Sequence, residues 1–361
     1  MCLGRRSGLL VLALLGFGPL CAQVLTDSLR GLELSAFVDV YFAYDLGHSE
    51  DDERPVFLYQ YDRHNEVDLN LGLLRLDLDR GRYRASFALM AGTYAQANLI
   101  GEPELLRNVF EATVGISLSK DSALWLDAGV LPSHIGAESA IGIDNWTLTR
   151  SIAAENSPYY LSGARLMWKP SPRWDFAALF LNGWQRIRRV QNTIPCFGTQ
   201  VVYRQADRWS LNWSTFFGSD VPDSLAAYRI FNNMHAKWER GVWGVQAGFD
   251  IGLQERSASN TEAWSVWYTP MLIVRRELTP RLFGVARGEY YADPDQVILR
   301  TGTVHGFTTF GYSLGCDLNL FDEVWCRLEG RTFHWVDAIY QSIHGPVQDN
   351  TSFTVSLAAR F

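Results

Sequence analysis

The stretch Phe353-Thr-Val-Ser-Leu-Ala-Ala-Arg-Phe361 ends the chain and carries an apolar side chain at every second position. A period of two residues is typical of a β-strand with one apolar face. The ends of water-soluble proteins usually fray, so a strand that alternates up to a terminal aromatic residue has little purpose in water. The stretch therefore predicts a terminal strand whose apolar face meets something other than water.

The same alternation recurs along the chain, and the second face distinguishes two kinds of β-protein. Five segments place aromatic and aliphatic side chains on one face, opposite a face in which Gly and Ser are prominent. They are 34–44, 112–118, 209–213, 243–251 and 310–318. A soluble sandwich normally turns Lys and Glu toward water, but Lys occurs in this chain only at positions 120, 169 and 237. An apolar face toward lipid and a small face toward a lumen are expected of a membrane β-barrel.

One segment departs from a single phase. Residues 67–73 keep the apolar side chains at odd positions, and residues 74–78 keep them at even positions. An extra residue in one strand restores the pairing of its neighbours, so the segment predicts a β-bulge near Leu73.

The connections between the predicted strands alternate in length. Seven short links lie near 80–82, 119–123, 169–173, 205–208, 239–241, 277–281 and 321–323, and eight long links lie near 46–64, 93–108, 131–157, 185–198, 218–228, 253–261, 293–306 and 334–350. This order joins sixteen strands and predicts a transmembrane antiparallel up-and-down β-barrel with short periplasmic turns and long extracellular loops. A large soluble β-protein, the alternative, has no reason to alternate so strictly.

The terminal alternation has a second meaning in a membrane barrel. Outer-membrane barrels show a terminal Phe on an alternating strand to the machinery that assembles them. We therefore interpret Phe353, Val355, Leu357 and Phe361 as an assembly signal, and expect the barrel assembly machinery and outer-membrane lipids as partners.

The first 22 residues predict export. Arg5 and Arg6 precede a short apolar run at 9–15 and a small, turn-prone segment at 16–22, the pattern of a cleaved secretory signal peptide. Lipidation at Cys21 is the alternative interpretation. Residues 23–361 then form a single barrel domain in the bacterial outer membrane. Loss of Arg5 and Arg6 takes the formal net charge from −7 to −9, which argues against nucleic acid as a partner.

Several short motifs, in this order, give the chain a resemblance to a known family. They are His64-Asn65-Glu66, Gly136-Ala137-Glu138, Thr149-Arg150-Ser151, Gly163-Ala164-Arg165-Leu166, Asn182-Gly183-Trp184, Arg287-Gly288-Glu289-Tyr290-Tyr291 and the final Phe361. In these segments the chain resembles the OmpL-like β-barrel porins of Gram-negative outer membranes. The resemblance implies an outer-membrane channel and does not specify a substrate.

Strand parity selects the charged side chains that should line the lumen. These are Glu111, Asp127, Arg165, Arg287, Glu289, Arg327, Glu329 and Arg331. The patterns Arg-x-Glu and Arg-x-Glu-x-Arg on two strands bring opposite charges to similar heights. They are interpreted either as a ring that selects solutes by charge or as structural ion pairs that stiffen the wall.

The longest link, 131–157, is a candidate constriction. It offers four residues that ionise or hydrogen bond: His134, Glu138, Asp144 and Arg150. Folded inward, the loop would set acids against bases and create a transverse field in the pore. The alternative is a surface loop packed over the barrel mouth.

Three cysteines remain after export, and two of them suggest a cross-link. Cys316 and Cys326 are equidistant from Phe321, so a regular hairpin would bring them within disulfide reach, and the oxidising envelope permits the bond. The alternative is a pair of small, unlinked, lipid-facing residues. The spacing of the cysteines predicts no metal site, and no cofactor is expected.

These features lead to a hypothesis of function. We expect a porin-like channel through which small hydrophilic solutes or ions diffuse passively. The alternative is a non-transporting barrel that anchors the envelope or binds partners through its long loops. An enzyme is not expected, since no nucleophile–base set is readable, although a Ser and a His on the outer wall would change that view. A homotrimer is left open.

Overall fold

The sixteen predicted strands form one closed sheet. In the computed structural model, which describes residues 31–48, 52–206, 208–223, 227–257 and 260–361, each strand pairs antiparallel with its neighbours in sequence, and the last pairs with the first. The strands are β1 (Leu32–Asp45), β2 (Val67–Asp79), β3 (Tyr83–Ala91), β4 (Val109–Ser117), β5 (Leu124–Pro132), β6 (Tyr160–Ser171), β7 (Trp174–Leu181), β8 (Cys196–Gln205), β9 (Trp209–Gly218), β10 (Arg229–Arg240), β11 (Trp243–Ser257), β12 (Asn260–Thr279), β13 (Leu282–Asp293), β14 (Phe307–Phe321), β15 (Val324–His334) and β16 (Asp349–Arg360). The predicted fold class is confirmed. The proposed signal peptide, 1–22, lies outside the described residues.

Closure depends on the pairing of the first strand with the last. Val38 pairs with Ala359, and beyond the end of β16 the backbone N–H of Phe361 donates to the carbonyl oxygen of Ala36 over 3.0 Å. The N–H of Ala36 donates in return to the carbonyl of Phe361 over 2.6 Å. Because no strand edge is left over, the backbone polar groups of the wall are paired within the sheet, as a lipid environment requires.

The links follow the predicted alternation with one exception. The long links are loop 1 (46–66), loop 2 (92–108), loop 3 (133–159), loop 4 (182–195), loop 5 (219–228), loop 7 (294–306) and loop 8 (335–348). Loop 2 contains the helix α1 (Thr93–Asn98), and loop 3 contains the helix α2 (Ile152–Glu155). The sixth link, between β11 and β12, is the exception. It was predicted to be long, at 253–261, and this is wrong because the two strands continue as a paired hairpin to Ser257 and Asn260. None of the helices in the described ranges is long and apolar enough to cross a membrane.

The β-bulge lies three residues before its predicted position. Asp39 pairs with Leu71 while Val40 pairs with Leu69, so the extra residue is Asn70 and not a residue near Leu73. Leu71 and Leu73 consequently point into the barrel and are buried there. The sequence pattern treated them as lipid-facing because they continue the phase of Leu69.

The interior is more apolar than the small, polar face that the strands predicted. Inward-facing rings, among them Phe216, Phe231 and Trp267, belong to a buried cluster that also contains Phe57 of loop 1 and Ile152 of loop 3. Aromatic side chains each bury a large area, so this packing contributes strongly to the position of the loops inside the barrel.

Of the two alternatives for the cysteines Cys316 and Cys326, the structure has the unlinked pair and not the disulfide. Cys326 pairs across the hairpin with Leu318, and Cys316 pairs with Leu328, because the turn is centred one residue later than Phe321. That shift moves the two cysteines two residues apart in register, and both thiols are free.

Free thiols give a direct test of this register. We expect both Cys316 and Cys326 to be alkylated in unfolded protein that has met no reductant, and Cys316→Ser to leave heat resistance unchanged. Peptide mass spectrometry after alkylation measures the first result. If the doubly alkylated peptide that spans Cys316 and Cys326 appears only after reduction, the two thiols form a disulfide and the register in the structure is contradicted.

Candidate functional site

Loop 3 crosses the inside of the barrel. Near its start, the His134 ring donates from Nε2 to the carbonyl oxygen of Thr215 on β9 over 2.8 Å, and the His134 carbonyl accepts from Gln200 Nε2 of β8 over 3.0 Å. Burial lowers the pKa of His134 to about 4, so its ring is neutral at pH 7. The later part of the loop contacts β13 and β15, on a different part of the wall.

Two carboxylates of the wall hold that later part. Glu329 accepts from the backbone N–H and from the hydroxyl of Thr149, both over 2.8 Å. Glu289 accepts from the backbone N–H of Ile152 over 2.7 Å, at the start of α2. Hydrogen bonds to a buried carboxylate are charge-assisted and shorter than neutral ones. The loop is therefore fixed to the wall through its backbone.

Two arginines balance these carboxylates. Arg287 Nη2 lies 2.7 Å from Glu329 Oε1, and Arg331 Nη2 lies 2.6 Å from Glu289 Oε1. Arg287 Nη1 also donates to the Thr149 carbonyl over 2.6 Å. The four side chains are almost completely buried. A buried ion pair needs further hydrogen bonds to offset desolvation, and the loop provides them.

The small side chains of β14 allow the charged residues of β13 and β15 to pair with each other. β14 separates β13 from β15 and presents Gly311, Ser313 and Gly315 toward the interior, in register with the charged residues. A Cβ atom at Gly311 would lie 2.8 Å from Cγ of Glu289, too close for an ordinary contact. The small inner face of β14, visible in the sequence, therefore lets long side chains meet across an intervening strand.

A third ion pair holds the middle of loop 3. Arg327 forms a bidentate ion pair with Asp317 of β14, through Nε and Nη2, each 2.9 Å from a carboxylate oxygen. Its Nη1 donates to the carbonyl oxygen of Gly142 over 2.6 Å. Asp317 was not among the candidate residues, although its position in the alternation of β14 places it on the inward face.

A second charged cluster lies on the opposite side of the ring. Asp127 of β5, eight strands from β13 in a barrel of sixteen, accepts from Arg84 over 2.8 and 2.7 Å and lies 3.1 Å from Arg165. Nearby, Arg75 Nη1 lies 2.9 Å from Glu111 Oε2. Sequence reasoning missed both Arg75 and Arg84. The even phase of residues 74–78 already places Arg75 on the inward face, whereas the alternation of the strand that carries Arg84 was not followed.

The eight candidate pore-lining residues all point to the inside of the barrel, but they do not form one ring. Five of them lie buried against loop 3, namely Arg287, Glu289, Arg327, Glu329 and Arg331. The remaining three, on β4 to β6, belong to the second cluster.

The four candidate constriction residues do not face one another as acids against bases. Arg150 pairs with Glu155 of the same loop over 2.8 Å, and its guanidinium lies 3.4 Å from the centre of the Tyr159 ring. Asp144 pairs with Arg360 of β16 over 2.7 Å. Glu138 accepts from the hydroxyl and the backbone N–H of Ser151 within loop 3, and burial raises its pKa. The expected facing arrangement is replaced by contacts within the loop, at Arg150 and Glu138, and by contacts with the wall, at Asp144 and His134.

Loop 1 adds a buried cation, Arg54, that no sequence pattern singled out. Arg54 donates from Nη1 to the Tyr61 carbonyl and from Nη2 to the hydroxyl of Ser352, each over 2.8 Å. Asn70, the bulged residue, donates to Asp39 over 2.9 Å and accepts from the N–H of Tyr61. The bulge thus fastens loop 1 to the inner wall. Within the described part of the chain, no group of three or more His, Cys, Asp or Glu is placed to hold a metal ion.

A closed sixteen-strand barrel with an inward-folded third loop defines the porin class of outer-membrane proteins. Comparison with family models matches residues 31–361 to the family described as putative beta-barrel porin-2, OmpL-like. The chain belongs to this family, as the resemblance implied, and its location is the bacterial outer membrane. Comparison with curated proteins gave no match.

Solved structures show the same fold at low sequence identity. An anion-selective porin from Comamonas acidovorans is 14% identical, with a TM-score of 0.60, over 91% of this chain and 99% of that one. OmpF of Salmonella typhi, in complex with daunomycin, is 10% identical, with a TM-score of 0.60, over 91% and 97%. The outer-membrane channel DcaP of Acinetobacter baumannii is 9% identical, with a TM-score of 0.59, over 91% and 97%. At these identities the likeness concerns the fold.

Proposed function

We propose that the protein is a channel for passive diffusion of small hydrophilic solutes or ions. The observation that carries this proposal is the difference in exposure between the two charged walls. Arg75, Arg84 and Arg165 on β2 to β6 keep 27%, 30% and 23% of their side chains exposed, whereas Arg287 beneath loop 3 keeps 0%. We infer that the solute path runs between loop 3 and the β2–β6 wall.

The chemistry of that wall supports polar solutes. Three arginines alternate with the carboxylates of Asp77, Glu111 and Asp127, so a permeating solute meets both donors and acceptors in exchange for its water. Because both signs are present, the wall attracts ions of either charge, and the net preference depends on single residues. Loop 3, held by backbone bonds on the opposite side, limits the width.

Single-channel recording in a planar bilayer tests the proposal. Protein whose electrophoretic mobility changes on boiling, the sign of a folded barrel, should produce discrete steps of current. Folded protein that never opens would refute the channel. Conduction by unfolded material is excluded by repeating the recording with boiled protein.

Asp127→Asn should shift ion preference toward anions. The change removes the carboxylate shared by Arg84 and Arg165 and leaves two partly exposed guanidinium groups on the proposed path. We expect the ratio of chloride to potassium permeability to rise about twofold, because a fixed charge acts strongly on ions in a narrow pore. The reversal potential in a salt gradient measures this ratio. Asp121→Asn, at an exposed tight turn, is the matched control, and an equal shift in both variants would contradict the proposed path.

A second function is favoured by a different observation. The buried aromatic cluster between loops 1 and 3 and the inner wall resembles a packed core more than a water-filled passage. If the folded protein shows no single-channel currents in the bilayer, a non-transporting barrel that binds or anchors through its loops becomes the better proposal.

A further inference from the structure

A cavity of about 820 Å3 lies at the loop end of the barrel, between loops 1, 7 and 8. Val56 and Ile343 at its rim are well exposed, whereas Phe57, Phe307 and Asn350 in its lining are buried. The cavity is therefore open to the outside and bounded by buried side chains below. Its volume falls in the range of about 300–1,000 Å3 that small-molecule sites occupy.

Two buried polar atoms in this lining lack a hydrogen-bond partner among the described residues. They are Nε of Arg54 and Oδ1 of Asn350, on side chains that are 3% and 2% exposed. A buried polar group without a partner costs free energy, more so when it is charged. The Arg54 Nε–H group is thus a donor without an acceptor beside a cavity of ligand size.

The carboxylates that line the same cavity are already engaged. Asp45 accepts from the backbone N–H of Gly47 over 2.8 Å and from Asn350 Nδ2 over 2.9 and 2.8 Å. Glu53, at the rim, lies 3.3 Å from Nη1 of Arg63. Arg300 of loop 7 is exposed at the rim and forms no ion pair within the described ranges. The carboxylate oxygens of Asp45 are therefore occupied by donors of the protein, whereas Arg54 Nε and the guanidinium group of Arg300 are the charged donors left for a ligand.

The rest of the lining is largely apolar. Phe57, Leu299 and Phe307 contribute buried rings and branched chains, and Ile339 of loop 8 packs against the same cluster. A bound solute must therefore present an apolar body as well as an acceptor. A hydrated inorganic ion such as chloride provides the acceptor but not the apolar body.

We propose that this cavity binds a small organic anion, a carboxylate with an apolar body about the size of an aromatic ring. Its carboxylate accepts from Arg54 and is attracted by Arg300, and its body lies against the Phe57 and Phe307 side. In naming a solute class for the channel, the inference rests on the proposed function. It places the first contact of that solute at the outer mouth, ahead of loop 3.

Calorimetric titration of the full-length folded protein in detergent micelles tests the site with three probes. Phenylacetate has both the charge and the ring, phenylacetamide keeps the ring without the charge, and acetate keeps the charge without the ring. Micelles without protein are subtracted. We expect phenylacetate to bind about tenfold more tightly than either of the others, the effect of one charge-assisted contact combined with apolar burial. Equal affinities, or no binding of phenylacetate, would overturn the inference.

Variants locate the binding. Arg54→Gln should weaken phenylacetate binding about tenfold, and Arg300→Glu should weaken it at least severalfold by placing an acid at the rim. Arg173→Gln, at a tight turn on the other end of the barrel, should change nothing. Since Arg54 is buried and its variant can fail to fold, the exposed Arg300 decides in that case. Conductance is recorded separately, so a protein that binds without conducting refutes the channel alone, and one that conducts without binding refutes this site alone.

Discussion

Glu329→Ala is expected to release loop 3 and to raise single-channel conductance several-fold. The carboxylate of Glu329 holds the backbone and hydroxyl of Thr149 and pairs with Arg287 over 2.7 Å, with both charged side chains fully buried. Removing one partner of such a pair leaves the other charge without compensation and costs about 3–5 kcal/mol. The backbone hydrogen bonds of β13 to β15 remain intact, so the substitution weakens the contact between loop 3 and the wall and not the barrel itself. The recording uses protein that still shows the mobility change on boiling.

Two variants control this result. Glu323→Ala changes an exposed acid at the tight turn before β15, and it should leave conductance unchanged. Glu329→Gln retains an oxygen that accepts from Thr149 but loses the charge that Arg287 needs, so its conductance should lie between the other two. Limited proteolysis reports the loop directly, through faster cleavage within 133–159 of Glu329→Ala. Unchanged conductance together with an uncleaved loop would show that the wall carboxylate does not position loop 3.

Deletion of Phe361 is expected to reduce the amount of assembled barrel several-fold while leaving the assembled molecules nearly as stable. In the structure Phe361 contributes two backbone hydrogen bonds to β1, and the residue is 72% exposed. Backbone bonds of this kind contribute about 1 kcal/mol each, and the register from Phe37 to Asp45 with β16 stays in place. A large loss of assembled protein would therefore reflect recognition during assembly, in line with the role proposed for Phe353, Val355, Leu357 and Phe361.

Phe321→Ala provides the matched control. Phe321 is an aromatic residue with 66% exposure at a tight turn on the same end of the barrel, and it does not end a strand of the closing pair. Quantifying boiled and unboiled bands from outer-membrane fractions gives the assembled share of each variant. Equal losses in the two variants would indicate a general need for interfacial aromatic residues and would refute a specific terminal signal. Loss of heat resistance in the assembled fraction of the deletion variant would instead point to strand closure.

The loops were the least predictable part of the molecule. The length of 131–157 indicated a candidate constriction, but Arg150 turned out to pair with Glu155 and Asp144 with Arg360. Ion-pair partners depend on how a 27-residue segment folds inside the barrel, and neither strand parity nor charge order contains that information. The buried donor of Arg54 was unpredictable for the same reason, since an exposed and a buried arginine in a loop look alike in sequence.

The sequence by itself determined the strands, their number and, along most of them, which side chains face inward. It could do so because the two-residue period is a local property of each strand and because the lipid penalises every polar group placed outward. Only the tertiary structure decided the bulge at Asn70, the register that keeps Cys316 and Cys326 apart, and the pairing of Arg287 with Glu329 across β14. Each of these depends on how segments distant in sequence meet, and a shift of one or two residues, invisible in the alternation, changes every partner.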